Sequence, residues 1–332
     1  YGLTIKKAIR WLSLEFTNGS FFLLMMKLII TFSLIITFLG CSSHEDEDKR
    51  AHQKSEDIIM TTFYPTQYFT EKIAGGLVPV ICPLPENEDP VNWKPSRDKI
   101  VQYNSASLII LNGANFEKWP NYVTLPLGKT IRSVNLPTEE LVTYEDSISH
   151  RHGPSGAHSH EGVDGHTWLD PVLAKLQSEV IFKKMMEIWP EHSQIFQRNF
   201  DALIEDLEAL NIRFRSLGKI KLYASHPAYN YISRRYDWKI TNFDFDPSEP
   251  LNESQIQSVG VALKKDPVKI MLWEESPIDT TSEILEKEFG LRSIEFSPCE
   301  NLSSEELSNG IDYLKVMSQN LEHLEGAYNK NQ

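Results

Sequence analysis

Short apolar runs alternate with longer segments whose apolar residues recur at helical spacing along most of this chain. The short runs lie at 58–62, 78–82, 108–111 and 131–134 in the front half, and at 220–224, 238–242, 268–273 and 291–296 in the back half. Flanked by Gly, Pro and Asn, they predict strands. The stripes between them predict helices. One carries Tyr68, Phe69 and Ile73 and stops at Gly75-Gly76. Another opens at Pro171, presents Leu173, Leu176, Val180, Ile181, Met185 and Ile188, and ends at Pro190. Further helices are expected around 229–235, 253–265 and 280–289, with a terminal one from 304 to about 327. Strands separated by helices mean βα units, so the expected class is α/β: two lobes, each with a mainly parallel sheet flanked by helices.

One stripe is longer than the rest. Phe196, Phe200, Leu203, Leu207, Leu210, Phe214 and Leu217 alternate steps of four and three until Gly218. A helix over 191–217 is about 40 Å long at 1.5 Å per residue, long enough to join two lobes. The same stripe fits a coiled-coil dimer; packing within the chain is preferred because the stripe is short, and makes the chain a monomer. The expected division is a front lobe at 57–190, a linking helix at 191–218 and a back lobe at 219–332. Segment 144–165 breaks the periodicity. It holds His150, His152, His158 and His160 among glycines and a proline, and reads as a mobile histidine-rich loop.

The first residues read differently. The chain begins with Tyr1, and Met25 or Met26 is the expected start, leaving 1–24 as a start-site artefact. Lys27, the apolar run 28–39 and Gly40-Cys41-Ser42-Ser43 then form a secretory signal at 25–41. Its ending resembles a bacterial lipobox, with Cys41 the residue to be lipidated; a plain signal or an uncleaved anchor are the alternatives. Segment 42–56 is a charged tether with almost nothing to bury. The expected location is therefore outside the cytoplasm, periplasmic or cell-surface, on a lipid anchor.

The 332 residues leave room for two cores, and 41% hydrophobic with 24% charged residues is ordinary for a globular protein. A net charge of -13 argues against nucleic acid and against an anionic membrane surface as the main partner. There are three cysteines. With Cys41 set aside, Cys82 and Cys299 lie in different halves, either bridged or, as preferred here, free.

Two histidines stand in sharply defined frames: His166 in Asp164-Gly165-His166-Thr167-Trp168-Leu169-Asp170-Pro171, and His226 in Ser225-His226-Pro227-Ala228-Tyr229. His226 follows a strand, where parallel sheets place ligands. One imidazole from each half would let a metal ion hold two lobes together. Asp170 is expected to cap the helix that follows it, and Trp93, Trp119 and Trp168 to pack near the cleft.

These frames, with Thr62-Phe63-Tyr64-Pro65, Asp89-Pro90-Val91-Asn92-Trp93-Lys94-Pro95, Asn112-Gly113, Glu117, Trp119, Asn230-Tyr231, Ser248-Glu249-Pro250 and Glu274, resemble the substrate-binding lipoproteins of bacterial zinc and manganese ABC importers over about 58–324. The histidine-rich loop is typical of the zinc branch. The resemblance implies two α/β lobes joined by one long helix, zinc as the transported ligand with manganese second, and an ABC permease with its ATPase as partners. It implies no enzyme. It also exposes two departures. Val91 stands where the family has its first histidine ligand, and Ser297 where an aspartate is frequent. His166 and His226 alone do not complete a tetrahedral zinc site. Candidate replacements are His158 or His160 from the loop, Glu274 or Glu275, and the Cys299 thiolate; the loop is preferred. Glu86, Glu88 and Asp89 read as solvated carboxylates. Two alternatives stay open: an adhesion, scaffold or repurposed receptor protein of the same fold, and a zinc hydrolase, against which the lack of a His-Glu-x-x-His pair counts.

Overall fold

The computed structural model describes residues 56–86, 88–144, 148–151, 157–160 and 162–329. The expected signal, Cys41 and nearly all of the tether lie outside the described residues. Among those described, no helix is long and apolar enough to cross a membrane.

Two four-stranded parallel sheets organise the chain. The first contains β1 (Glu56–Thr61), β2 (Val80–Ile81), β3 (Ala106–Leu111) and β4 (Thr130–Arg132), in the order β2-β1-β3-β4. Its register sets Met60 against Ile81, Ile59 against Leu108 and Ile110 against Ile131. β3 is buried at every position, as a central parallel strand covered on both faces must be. Around this sheet lie α1 (Tyr64–Ala74) and α2 (Arg97–Ser105). Hydrophobic patterning does not foresee α2, because it buries one residue, Tyr103; a Ser96 cap starts it.

A hairpin follows, with β5 (Ile148–Arg151) antiparallel to β6 (Ala157–His160) and His150 opposite His158. This corrects the expectation of an irregular loop: the backbone pairs within the histidine-rich segment. Its side chains, those of His158 and His160 included, lie outside the described residues. α3 (Pro171–Ile188) comes next, then a 3-10 turn at Pro190–His192 and the long helix α4 (Ser193–Ser216).

The second sheet contains β7 (Lys221–Ala224), β8 (Lys239–Asn242), β9 (Ile270–Trp273) and β10 (Arg292–Glu295), in the order β10-β9-β7-β8. Taken from its second strand outward, each sheet runs second-first-third-fourth, so the two share one strand order. Between these strands lie α5 (Asn230–Tyr236), α6 (Glu253–Lys265) and α7 (Asp279–Phe289). The single terminal helix expected at 304–327 is two helices, α8 (Ser304–Ser308) and α9 (Tyr313–Asn329). Gly310, at φ 70°, lies in the break between them, a backbone conformation that continues no helix.

α4 holds the sheets together. It packs on α1 and α3 from the front half and on α9 from the back half, burying Phe196, Leu203, Leu207, Leu210 and Phe214. The stripe therefore packs within the chain. The lobes do not keep separate cores, as the length suggested. One continuous apolar cluster runs from Ile59 and Leu108 through Leu207 to Leu222, Leu272 and Leu321. A second, smaller cluster lies on the opposite face of the second sheet. Along β7 and β9 the assignment alternates: Leu222, Ala224, Ile270 and Leu272 join the first cluster, and Tyr223, Met271 and Trp273 the second. Cys82 and Cys299 are both free thiols.

Candidate metal centre

Each sheet has its first and third strands side by side, and the chain leaves that point in opposite directions. Such a switch point opens a crevice at the carboxyl ends of the strands. In the second sheet the residues there are Ser225 and His226 after β7, and Glu274 directly after β9. Ser225 extends the ladder, donating its N–H to Leu272 O (2.9 Å) and accepting from Phe245 N–H (3.0 Å). His226 is thereby held at the lip of the sheet, buried, with Nδ1 3.9 Å from Glu274 Oε1.

His166 comes from the other half. The Asn112 amide, just past β3, donates to Gly165 O at 3.0 Å and is itself held by Gln177 at 2.8 Å. Gly165 has to be glycine, since a Cβ there would lie 2.7 Å from Phe116 Cβ and 3.1 Å from its Cα. The His166 ring packs against Phe116 and Trp168. It meets the His226 ring edge-on, with centroids 5.9 Å apart. The two sequence-predicted histidines thus converge from opposite halves.

Asp164 orients His166. Its Oδ1 accepts from the His166 backbone N–H (2.9 Å) and from Nδ1 (2.7 Å), so Nε2 faces outward. Its Oδ2 accepts from Asn230 Nδ2 (3.0 Å), and its carbonyl from the Tyr231 hydroxyl (2.9 Å). Asn230 and Tyr231 follow His226 by four and five residues, so one buried carboxylate ties the two frames together. A histidine whose second nitrogen is held by a carboxylate is the usual preparation for metal ligation.

Nε2 of His166 meets a residue passed over in the sequence: Glu300, with Oε1 at 3.0 Å. Glu300 lies on the loop after β10. The left-handed backbone of Cys299 (φ 57°) turns the chain there, and Glu300 O accepts from Tyr64 N–H at 3.3 Å, at the start of α1. The available signal was its place beyond the carboxyl end of the last strand. Burial alone would lower the affinity of His166 for a proton; the charge and hydrogen bond of Asp164, then Glu300, outweigh it and push its pKa up to about 10. Glu274 is raised well above the carboxylate range by burial first and then by the charges of Glu300 and Glu275.

The remaining candidates fall elsewhere. Val91 is buried in the turn after Asp89, whose Oδ1 accepts its N–H at 2.8 Å; its carbonyl accepts from Lys118 N–H. Ser297 is occupied as a turn residue. Its hydroxyl accepts from Cys299 N–H (3.1 Å), and its backbone pairs twice with the Asn320 amide. Burial raises the Cys299 thiol well above its ordinary value, which disfavours the thiolate that metal binding needs. Glu275 is exposed. Asp170 caps α3 through Val172 N–H (2.9 Å) and pairs with Arg235 Nε (2.7 Å). Trp93, Trp119 and Trp168 are buried, and Trp168 bridges the halves by donating Nε1–H to Pro298 O at 2.8 Å. Among the described residues no three of histidine, cysteine, aspartate and glutamate form a ready-made metal cluster.

Two like-ordered parallel sheets bridged by one long helix, with histidines from opposite halves meeting beyond their strand ends, define the class of two-lobed α/β binding proteins. The chain belongs to the family described as zinc-uptake complex component A, periplasmic (ZnuA), whose model matches residues 59–327. This is a zinc-uptake family and not a family of enzymes. The chain is 28% identical over 302 residues to the zinc-binding lipoprotein AdcA of Streptococcus pneumoniae, covering 88% of this chain and 59% of that protein. It therefore spans about three-fifths of the length of that relative. It is 25% identical over 304 residues to the high-affinity zinc uptake system protein ZnuA of Bacillus subtilis, covering 89% of this chain and 94% of that one. Among solved structures, the metal-dependent lipoprotein YcdH of Bacillus subtilis superposes with a TM-score of 0.69 at 23% identity, over 80% of this chain and 97% of that one. The Zn(II)-bound AdcA of Streptococcus pneumoniae gives 0.67 at 24%, over 82% and 57%. At these identities the structures establish the shared fold.

Proposed function

We propose that the chain captures a divalent cation, zinc before manganese, between its lobes and passes it to the permease and ATPase of an ABC importer. Membership of a zinc-uptake family supports the activity. The observation that carries the site is the meeting of His166 and His226 from opposite halves, 5.9 Å between ring centroids. In this reading His166 Nε2, His226 and a Glu300 oxygen ligate the ion. Glu300 supplies the donor that Val91 and Ser297 do not. Glu274, 3.9 Å from His226, is the fourth candidate and has to give up a proton to serve. Two imidazoles with one or two carboxylates suit zinc and leave room for manganese, which takes more oxygen. The histidines of the hairpin, His158 and His160 among them, then gather ions rather than complete the site.

Calorimetric titration of zinc into metal-stripped protein tests this, beside the His166→Ala/His226→Ala pair and a Glu300→Gln variant. Tight one-to-one binding lost in the double variant and weakened by Glu300→Gln is expected. Binding that survives the double variant but disappears when the hairpin is deleted would sink the cleft reading. We also infer an anchored, extracytoplasmic location through Cys41. Metabolic labelling with a radioactive fatty acid, present in the parent and absent from Cys41→Ala, is the expected result.

A further inference from the structure

The histidine-rich hairpin is joined to the candidate metal centre by its stem. Thr143 bridges Val163 in antiparallel register. Tyr144 N–H donates to Gly162 O (2.9 Å), and Asp164 N–H to Val142 O (2.8 Å). One residue then separates the stem from His166. The stem carries a side chain into the site as well: the Tyr144 hydroxyl donates to Asp164 Oδ1 at 3.0 Å and lies 3.4 Å from His166 Nδ1. The oxygen it reaches is the one that fixes the His166 ring. Across the stem, Val142 N–H donates to the Tyr231 hydroxyl at 3.2 Å, and that hydroxyl donates to Asp164 O.

We infer that Tyr144 is a positioning residue for the cation site, acting through Asp164 on His166, and that it couples occupancy of the site to the hairpin stem. The inference rests on the proposed cation capture and assigns Tyr144 a part in it. A ring fixed by one carboxylate oxygen is only as well aimed as that oxygen. Three donors converge on Asp164 Oδ1 and one on Oδ2. Removing the tyrosine donor frees the carboxylate to rotate about its Cβ–Cγ bond and carry the imidazole with it. The same contact runs the other way: an ion that locks His166 locks Asp164 and, through Tyr144, the stem.

The test is zinc chloride titration of the full chain, of Tyr144→Phe, of Asp164→Asn and of the double variant, with amide hydrogen exchange at the stem with and without zinc. Tyr144→Phe should weaken zinc binding about tenfold, at the lower end of losses seen when the partners of a ligating histidine are removed. It should cost nothing further in the Asp164→Asn background. Zinc should slow exchange of the Tyr144 and Asp164 amides in the parent and fail to do so in Tyr144→Phe. A purely structural tyrosine would lower the melting temperature and speed exchange equally with and without zinc, and would overturn the inference. So would zinc binding by Tyr144→Phe within twofold of the parent, or an undiminished loss in the Asp164→Asn background. A parent chain that binds no zinc would overturn the function proposed above, and this inference with it.

Discussion

Zinc and a proton compete for the same lone pair on His166. The Asp164–His166–Glu300 arrangement holds the ring protonated up to about pH 10, and a zinc ligand must be the neutral imidazole. Below that pKa the ion has to displace this proton, so on this account apparent affinity should rise by up to about tenfold per pH unit and flatten above it; a Glu274 ligand that also gives up its proton steepens the rise. Titration in buffers of different ionisation enthalpy should show proton release on binding at neutral pH; no buffer dependence would contradict the arrangement. Glu117 illustrates a buried carboxylate with a structural task. It accepts from the Thr62 hydroxyl, from Asn112 N–H (2.6 Å) and from Gly113 N–H (3.3 Å). An amide in its place brings two hydrogens toward donors, so Glu117→Gln should cost about 1–3 kcal/mol in urea unfolding. The residues legible in the sequence were those with distinctive neighbours: His166 in its Gly-His-Thr-Trp frame, His226 after a strand, and Asp170 before Pro171. Glu300 was not, because its approach to His166 depends on the turn at Cys299 and on the clasp of Ser297 by Asn320, contacts that no local pattern encodes.

At the level of elements, the strands and the long stripe could be read because burial on one or two faces writes a period into the sequence. α2 escaped because only Tyr103 is buried, and the hairpin because its pairing is made by backbone rather than by apolar side chains. The stripe of α4 carries its own prediction. Leu207 is fully buried midway along the helix, between front and back halves. Leu207→Ala should destabilise the protein by roughly 2–5 kcal/mol, the usual cost of a leucine-sized cavity, read from chemical denaturation. Gly75 caps α1 at φ 58°, and a Cβ there would run into the Asn199 amide of α4, which itself bonds Ile73 O at 3.2 Å. Gly75→Ala should therefore cost more than the roughly 1 kcal/mol of the left-handed backbone alone. Restoring room with Asn199→Ala should recover part of the loss.

For the whole molecule, the continuous core implies that both sheets unfold together. Calorimetry should record a single transition, and two resolved transitions would contradict a shared core. An ion that binds only the folded chain adds about 2.7 kcal/mol when present at a hundred times its dissociation constant. Zinc should therefore raise the midpoint of that one transition in the parent, and much less in the His166→Ala/His226→Ala variant. The α/β class and the joining helix were visible in the sequence. The merging of two cores into one was not, since it depends on which side chains of α1, α3, α4 and α9 face one another.

The shared strand order has a consequence for how the halves divide their labour. One wiring diagram is laid down twice, and beyond the third strand of each sheet stands a buried glutamate whose pKa burial raises. In the first, Glu117 is surrounded by the chain's own donors from Thr62, Asn112 and Gly113. In the second, Glu274 stands beside His226, whose ring meets that of His166 from the first half. The same blueprint thus yields a carboxylate satisfied by its own chain in one half, and in the other a carboxylate beside a histidine that meets its counterpart from the first half.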